Sequence, residues 1–471
     1  MSDEQFDLIV IGAGPGGYVA AVRGAQLGMK VAVVEQREAL GGVCLNEGCI
    51  PSKALLDSSE FFALARDRFS GHGILLDPPR LDLAKMMSRK RDVVKKLTDG
   101  IAYLFKKNGI AWVKGAGKLV RRLGYGGYEV EVTSGDSATT IEGKRILIAT
   151  GSTAAGVPGL PFDGHTVVTA REALSFTVVP EHLVVVGGGY IGLELGSVWR
   201  RLGASVTVVD ILPKVLPASD GQIADTLVRS LKKQGISFRL GTKVEQVIPV
   251  DGRTKVTLAA GENREELICD KILVAAGRKP QTAGLGLEEI GVQLDASGRV
   301  AVDDDYQTSA AGIYAIGDLV PGPMLAHKAS EEGVVAVERM AGQTAFVEYG
   351  YIPGVVYTWP EAASVGKTEE QLKEEETAYE CGRFNFMGNG RARAMDETEG
   401  FVKILAAAET GRILGVHIIG PRASDLIAEA AAVMAFEGTA EDIALICHPH
   451  PTLSEALKES ALDVMKRAIH A

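Results

Sequence analysis

The sequence predicts an α/β protein of several domains, in which one strand–turn–helix–strand unit occurs twice and a smaller α+β domain closes the chain. Three observations carry this. At 471 residues the chain exceeds the ~250–300 residues at which a single core stops growing. Residues 7–35 and 183–210 share one anatomy. From about residue 351 strands and helices mix in a pattern that matches neither repeat.

The first repeat reads DLIVIGAGPGGYVAAVRGAQLGMKVAVVE and the second LVVVGGGYIGLELGSVWRRLGASVTVVD. Each sets an apolar strand before a glycine-rich turn, then a helix with small residues on one face, then a second strand ending in an acid. Glu35 stands 23 residues after Gly12, and Asp210 stands 23 residues after Gly187. One such match is weak evidence. Two of matched anatomy predict a duplicated Rossmann-like dinucleotide-binding fold.

In this fingerprint Gly12 allows the tight turn, Gly14 lets a pyrophosphate approach the backbone, and Gly17 lets helix pack on strand. The helix N-terminal amides then face phosphate charge, and Glu35 accepts from a ribose hydroxyl. Gly187, Gly189, Gly192 and Asp210 repeat the pattern. Ile211 and Leu212 follow Asp210, so no arginine is at hand for a 2′-phosphate, which favours NAD over NADP. The plainer reading of Asp210 is a solvated strand end. Two dinucleotide sites in one chain imply an electron relay, commonly flavin to nicotinamide.

Between the repeats, residues 128–133 and 139–150 read as hairpin strands returning to the first sheet, and residues 236–248 and 267–276 play the same part for the second. After residue 281 the pattern is short and irregular as far as GIYAIGDLV at 312–320. An amphipathic helix follows at 328–341. The last part alternates strands (FVKILAAA, RILGVHIIG) with helices at 422–437 and 452–468. EEQLKEEE at 369–376 reads as a solvated helix face.

The segment GGVCLNEGCIPSK carries Cys44 and Cys49. Five residues of regular helix give about 7.5 Å of rise and roughly 140° of rotation, whereas a disulfide wants Cα atoms within about 7 Å. Joining the two needs a local distortion, which Gly48 and Pro51 permit. A strained disulfide opens readily, as a catalytic one should. Zinc ligation and two unrelated buried thiols are the competing readings; zinc wants two further ligands, and Cys269, Cys381 and Cys447 are isolated, so no metal is expected. Near the C-terminus, His448-Pro449-His450-Pro451-Thr452-Leu453-Ser454-Glu455 holds two histidines out of helix. A base near neutrality suits a thiol whose ordinary pKa is about 8.5. Glu455 either orients the imidazole or closes a Thr452-x-x-Glu455 capping box.

The balance of 60 acidic against 50 basic residues argues against nucleic acid as the main ligand. No apolar run reaches the roughly 18–20 residues a bilayer requires. The acidic N-terminus enters a strand almost at once and reads as no signal peptide. Five cysteines do not make a disulfide scaffold, and a cytoplasmic location is expected.

Taken together, these residues resemble the dihydrolipoamide dehydrogenases of the class I pyridine nucleotide-disulfide oxidoreductase family. The resemblance runs essentially end to end. Its most specific pieces are GGVCLNEGCIPSK and HPHPTLSE, supported by IATGS (148–152), AAGRKP (275–280), GIYAIGD (312–318) and MLAHKA (324–329). It implies four parts: an FAD-binding domain with the redox disulfide (1–150), an NAD-binding domain (151–280), a central domain completing the FAD site (281–350) and a dimerisation domain (351–471). It implies FAD at the first fingerprint with Lys53, Gly151, Asp318 and Ala326, and NAD at the second with Glu194 and Gly277. Lys53 would pair with Glu194 beside the flavin. Cys49 would face the flavin while Cys44 exchanges with substrate. His450, held by Glu455, would be the base, supplied by the other subunit of a homodimer. The substrate would be dihydrolipoamide on partner proteins of 2-oxo acid dehydrogenase or glycine cleavage complexes, since no lipoyl-like domain precedes residue 7. Val43, Glu47 and Pro449 depart from the family's usual residues. None removes a reacting group.

Overall fold

A computed structural model describes residues 5–124 and 126–470. Met1–Glu4, where no signal peptide is expected, and Ala471 lie outside the described residues. The chain forms two compact units. Unit 1 gathers residues 1–55, 82–155 and 277–347, and unit 2 gathers 56–81, 156–276 and 348–471.

Unit 1 is built on a seven-stranded sheet. Strand Phe6–Ile11 lies at its centre, parallel to Val31–Glu35 on one side and to Ser137–Ile148 on the other. These strands read as continuous apolar runs because both faces are covered. Leu8, Val10, Val31, Val33 and Leu147 point into one core with the helices Pro15–Gln26 and Ala326–Met340. Ile9, Ile11, Ala32, Val34, Ile146 and Ile148 point into the other, with Val130 and Val132 of the hairpin. The alternation is the two-residue period of a strand. The predicted hairpin is present as Tyr128–Ser134 and Ser137–Ile148. Helix Leu83–Lys107, which the sequence reading passed over, packs Ile101 and Phe105 against the first core.

Unit 2 carries a five-stranded parallel sheet in the order Ile236–Leu240, Ser205–Asp210, His182–Val186, Lys271–Val274, Val167–Val168. Here the expected likeness to the first repeat fails in part. Strands Lys243–Val250, Arg253–Ala260 and Asn263–Cys269 form a separate antiparallel sheet instead of extending the parallel one. The reason is local. Ser137–Ile148 runs unbroken from hairpin into parallel sheet, whereas Asp270 interrupts its counterpart, and the Asp270 carboxylate accepts the His182 N–H at 2.7 Å.

The C-terminal part is a five-stranded antiparallel sheet with helices Ala423–Ala435, Ala440–Leu445 and Glu455–Val464 packed on it. The helix of EEQLKEEE is shorter than its charge run, Glu369–Glu374, and is not wholly a solvated face. Leu372 is buried, and Glu369 accepts from Lys403 at 2.5 Å. Among the described residues no helix is long and apolar enough to cross a membrane.

Candidate active site

The two glycine loops are superposable in their bonding. Gly12 donates to Val34 O at 2.8 Å, and Gly187 donates to Val209 O at 2.8 Å. A Cβ on Gly12 would lie 2.4 Å from Ala149 O, and one on Gly187 would lie 2.4 Å from Ala275 O. On Gly17 it would meet Gly12 O at 1.9 Å, and on Gly192 it would meet Gly187 O at 2.2 Å. These four are glycine for the protein's own packing. The second glycines differ. A Cβ on Gly189 would meet no protein atom within 4 Å, and one on Gly14 only Gly42 Cα at 4.0 Å. Both have negative φ and stand as N-caps of helices that no side chain caps. The space above each is open, and uncapped amides face it, which is the cradle a pyrophosphate needs.

The acids brace these loops. Glu35 accepts the Ala13 and Arg37 N–H groups, each at 2.9 Å. Asp210 accepts those of Gly188 at 2.6 Å and Leu212 at 2.8 Å. Asp210 is therefore more than a solvated strand end. It is anchored by two amides while staying partly exposed.

Cys44 lies on the short helix Gly42–Glu47, and Cys49 opens helix Cys49–Asp67. The break between them is Gly48, where a Cβ would stand 3.0 Å from Val43 O and 3.3 Å from Cys44 Cα. This interruption is the distortion the spacing calls for. Both residues are thiols here, and they are hydrogen-bonded. That bond, then burial, pushes the Cys44 thiol well above its ordinary range. Lys53, one turn beyond Cys49, acts on Cys44 in the opposite sense. Glu47, one of the departures, forms an ion pair with Arg37 at 2.7 Å.

Asp318 sits on the single turn Gly317–Leu319 and is bonded to Ser152 Oγ. Arg278 Nε donates to the same Ser152 Oγ at 2.7 Å and lies 4.0 Å from the Asp318 carboxylate. Strands Ser152–Ala154 and Arg278–Pro280 pair to bring them together. Ser152 and Arg278 were missed as site residues, although IATGS and AAGRKP were the signals that contained them. Gly151 and Gly277 have positive φ (72° and 138°), and a side chain at either would meet no protein atom within 4 Å. Ala326 begins a helix that no side chain caps. Glu194 is buried and accepts the Tyr357 N–H at 3.0 Å.

In unit 2, His450 Nδ1 lies 2.9 Å from Glu455 Oε1, with the His450 side chain 77% exposed. The other carboxylate oxygen accepts the Thr452 N–H at 2.8 Å. Burial works to raise the Glu455 pKa, but these two bonds hold it below the usual range. Half of the anticipated capping box is present. Thr452 Oγ1 turns instead to Pro449 O, and the helix begins at Glu455 rather than after Thr452. His448 differs from its neighbour. Its Nδ1 meets Ile446 O at 3.0 Å and its Nε2 meets Glu429 at 2.8 Å, so neither nitrogen is available for chemistry. Among the described residues no cluster of three or more His, Cys, Asp or Glu is placed to hold a metal ion.

Residues 6–333 match the model of the pyridine nucleotide-disulphide oxidoreductases, and residues 352–461 match the dimerisation domain of that family. The chain belongs to the pyridine nucleotide-disulphide oxidoreductase family. It is 50% identical to dihydrolipoyl dehydrogenase 1, mitochondrial, of Arabidopsis thaliana, covering 100% of this chain and 92% of that protein. It is likewise 50% identical to dihydrolipoyl dehydrogenase 3 of Pseudomonas aeruginosa, covering 99% of each. Leghemoglobin reductase of Vigna unguiculata is 51% identical over 98% of this chain and 88% of its own. Among solved structures, LpdA from Mycobacterium tuberculosis has a TM-score of 0.89 at 28% identity, covering 96% of this chain and 98% of its own. The cofactors of these pyridine nucleotide-disulphide oxidoreductases are FAD and NAD, and the open space over Gly14 and Gly189 fits them.

Proposed function

We infer that this chain is an FAD-dependent dihydrolipoyl dehydrogenase in activity, oxidising protein-bound dihydrolipoamide to lipoamide with delivery of hydride to NAD⁺. The observation that carries the chemistry is the thiol pair brought together across Gly48; the substrate follows from the full-length likeness to dihydrolipoyl dehydrogenases. FAD would be held by Gly12, Gly14, Gly17, Glu35, Lys53, Gly151, Asp318 and Ala326, and NAD by Gly187, Gly189, Gly192, Glu194, Asp210 and Gly277. Together these groups supply a two-electron relay from the cysteine pair to the nicotinamide.

The chain's own part is thiol–disulfide exchange. With Cys44 and Cys49 joined as a disulfide, His450 Nε2 takes the proton of one dihydrolipoamide thiol. The resulting thiolate attacks Cys44 Sγ, the S–S bond breaks, and Cys49 leaves as thiolate. The second substrate thiol then displaces Cys44, closing the lipoamide ring, and Cys44 takes up a proton. Glu455 fixes the ring with Nδ1 toward itself and Nε2 toward the reaction.

The four-part division at 150, 280 and 350, the pairing of Lys53 with Glu194, and a homodimer in which His450 serves the other subunit complete the proposal. The match to a dimerisation domain supports the dimer. The partners are lipoylated proteins of 2-oxo acid dehydrogenase or glycine cleavage complexes, with neither nucleic acid nor membrane involved, and the location proposed is cytoplasmic. The test is NADH formation from free dihydrolipoamide and NAD⁺, repeated with a lipoylated domain as substrate. Absence of turnover in a yellow, FAD-loaded protein refutes the activity. For the shared site, Cys44→Ala and His450→Ala chains are mixed by refolding. Random hybrids regain roughly a quarter of wild-type turnover, and no recovery among proven hybrids places His450 in its own subunit's site.

A further inference from the structure

Helix Ala326–Met340 holds an ion pair that the mechanism does not use. Lys328 and Glu332 lie 3.0 Å apart, and both side chains are 0% exposed. Their outer atoms converge on the backbone of one residue, Gly317. Lys328 Nζ donates to Gly317 O at 3.0 Å, and Glu332 Oε2 accepts the Gly317 N–H at 2.7 Å. Gly317 has φ 77°, so the turn carrying Asp318 leaves the strand Ile313–Ala315 in a conformation that other residues rarely adopt. Gly317 is buried; its N–H donates to Glu332, while its carbonyl accepts from Lys328 at 3.0 Å and from the Val320 N–H at 3.3 Å.

The adjoining face of the same helix packs closely against the start of the fingerprint helix that follows the first glycine loop. A Cβ on Gly333 would lie 2.6 Å from Gly16 O, and one on Gly16 would lie 2.9 Å from Ala329 O. Arg23 of the fingerprint helix pairs with Glu338 at 2.6 Å. Helix Ala326–Met340 thus joins the Gly14 loop to the Asp318 turn.

We propose that Lys328 and Glu332 are positioning residues for the flavin: clamping Gly317 from both sides, they set Asp318 in register with the Gly14 loop and with the uncapped amides at Ala326. This rests on reading unit 1 as the FAD site. A pair kept only for stability would be replaceable, since exchanging a buried ion pair for apolar residues of similar volume is often neutral or stabilising. A clamp is not replaceable in that way, because Leu and Met offer Gly317 neither donor nor acceptor.

The test compares wild type with Glu332→Gln and with the double variant Lys328→Met/Glu332→Leu, which leaves no lone buried charge. Thermal midpoints are read by far-UV circular dichroism with and without FAD, and FAD release is followed by the rise in flavin fluorescence. We expect the double variant to fold, with an apoprotein midpoint lowered because the buried Gly317 N–H loses the Glu332 acceptor. Its FAD release is expected to quicken about tenfold or more, as for loss of buried hydrogen bonds, with a changed visible dichroism of the bound flavin. Glu332→Gln, which keeps an acceptor for Gly317 N–H, falls between. Wild-type release and dichroism in a folded double variant overturn the proposal, as does a loss of apoprotein stability with unaltered flavin release. A wild-type protein that takes up no FAD overturns the flavin reading itself, and the clamp with it.

Discussion

Glu455 divides its two oxygens between His450 Nδ1 and the Thr452 N–H, so each of the sequence's two readings of it has a hydrogen bond to start from. The division can be tested. Glu455→Gln keeps an oxygen for Thr452 but loses the charge that stabilises imidazolium. We expect the thermal midpoint to hold while turnover with dihydrolipoamide falls at least about tenfold, within the range of acid–base contributions, and the acidic limb of the pH profile to move to lower pH. Unchanged turnover assigns Glu455 to local structure alone. His448 shows why residue chemistry alone, without the family resemblance that named His450, ranks neither histidine. The pair is symmetric about Pro449, and only folding places Glu429 against one of them.

At the scale of elements, the glycine loops separate two reasons for glycine that sequence cannot tell apart. Gly192 is glycine because the Gly187 carbonyl occupies the place of its side chain, while Gly189 has open space there. Gly189→Ala should leave the unfolding midpoint unchanged and raise the KM for NAD⁺ about tenfold or more, since a methyl intrudes only where the pyrophosphate approaches. Gly192→Ala should lower the midpoint whether or not NAD is added. If the two variants behave alike in the unfolding experiment, the open space is not a ligand cradle.

Within unit 2, buried Lys403 bonds Asp220 at 2.8 Å and Glu369 at 2.5 Å, tying the start of helix Gly221–Lys233 to the C-terminal sheet. Burial alone would raise both carboxyls. Lys403, Lys373 and Tyr379 instead bring Glu369 down to about 2, and Lys403 holds Asp220 below its ordinary value. A carboxyl with a depressed folded pKa contributes stability above its unfolded value and loses it as pH falls toward the folded one. Stability should therefore be level on this account above about pH 5 and decline toward pH 2. Lys403→Met leaves buried Asp220 without its cation and Glu369 with Lys373 alone, and should cost about 3–5 kcal/mol near neutrality. Its deficit should shrink as the pH falls and the carboxyls protonate. Urea midpoints from pH 3 to 8 read this directly, and a deficit constant across that range refutes the assignment.

The duplicated fingerprints with their apolar strands and the need for a break between Cys44 and Cys49 were legible in the sequence, because each rests on spacing within a few turns of chain. The fingerprint acids were legible as positions, though not the amides they hold. What the tertiary structure alone decided involves partners far apart in the chain. Ser152 and Arg278 meet Asp318 across 166 and 40 residues of sequence, and Lys403 reaches Asp220 across 183. No local pattern encodes such pairs. Periodicity reports which face of an element is apolar, but the bonding of a buried polar group depends on what the fold lays against it.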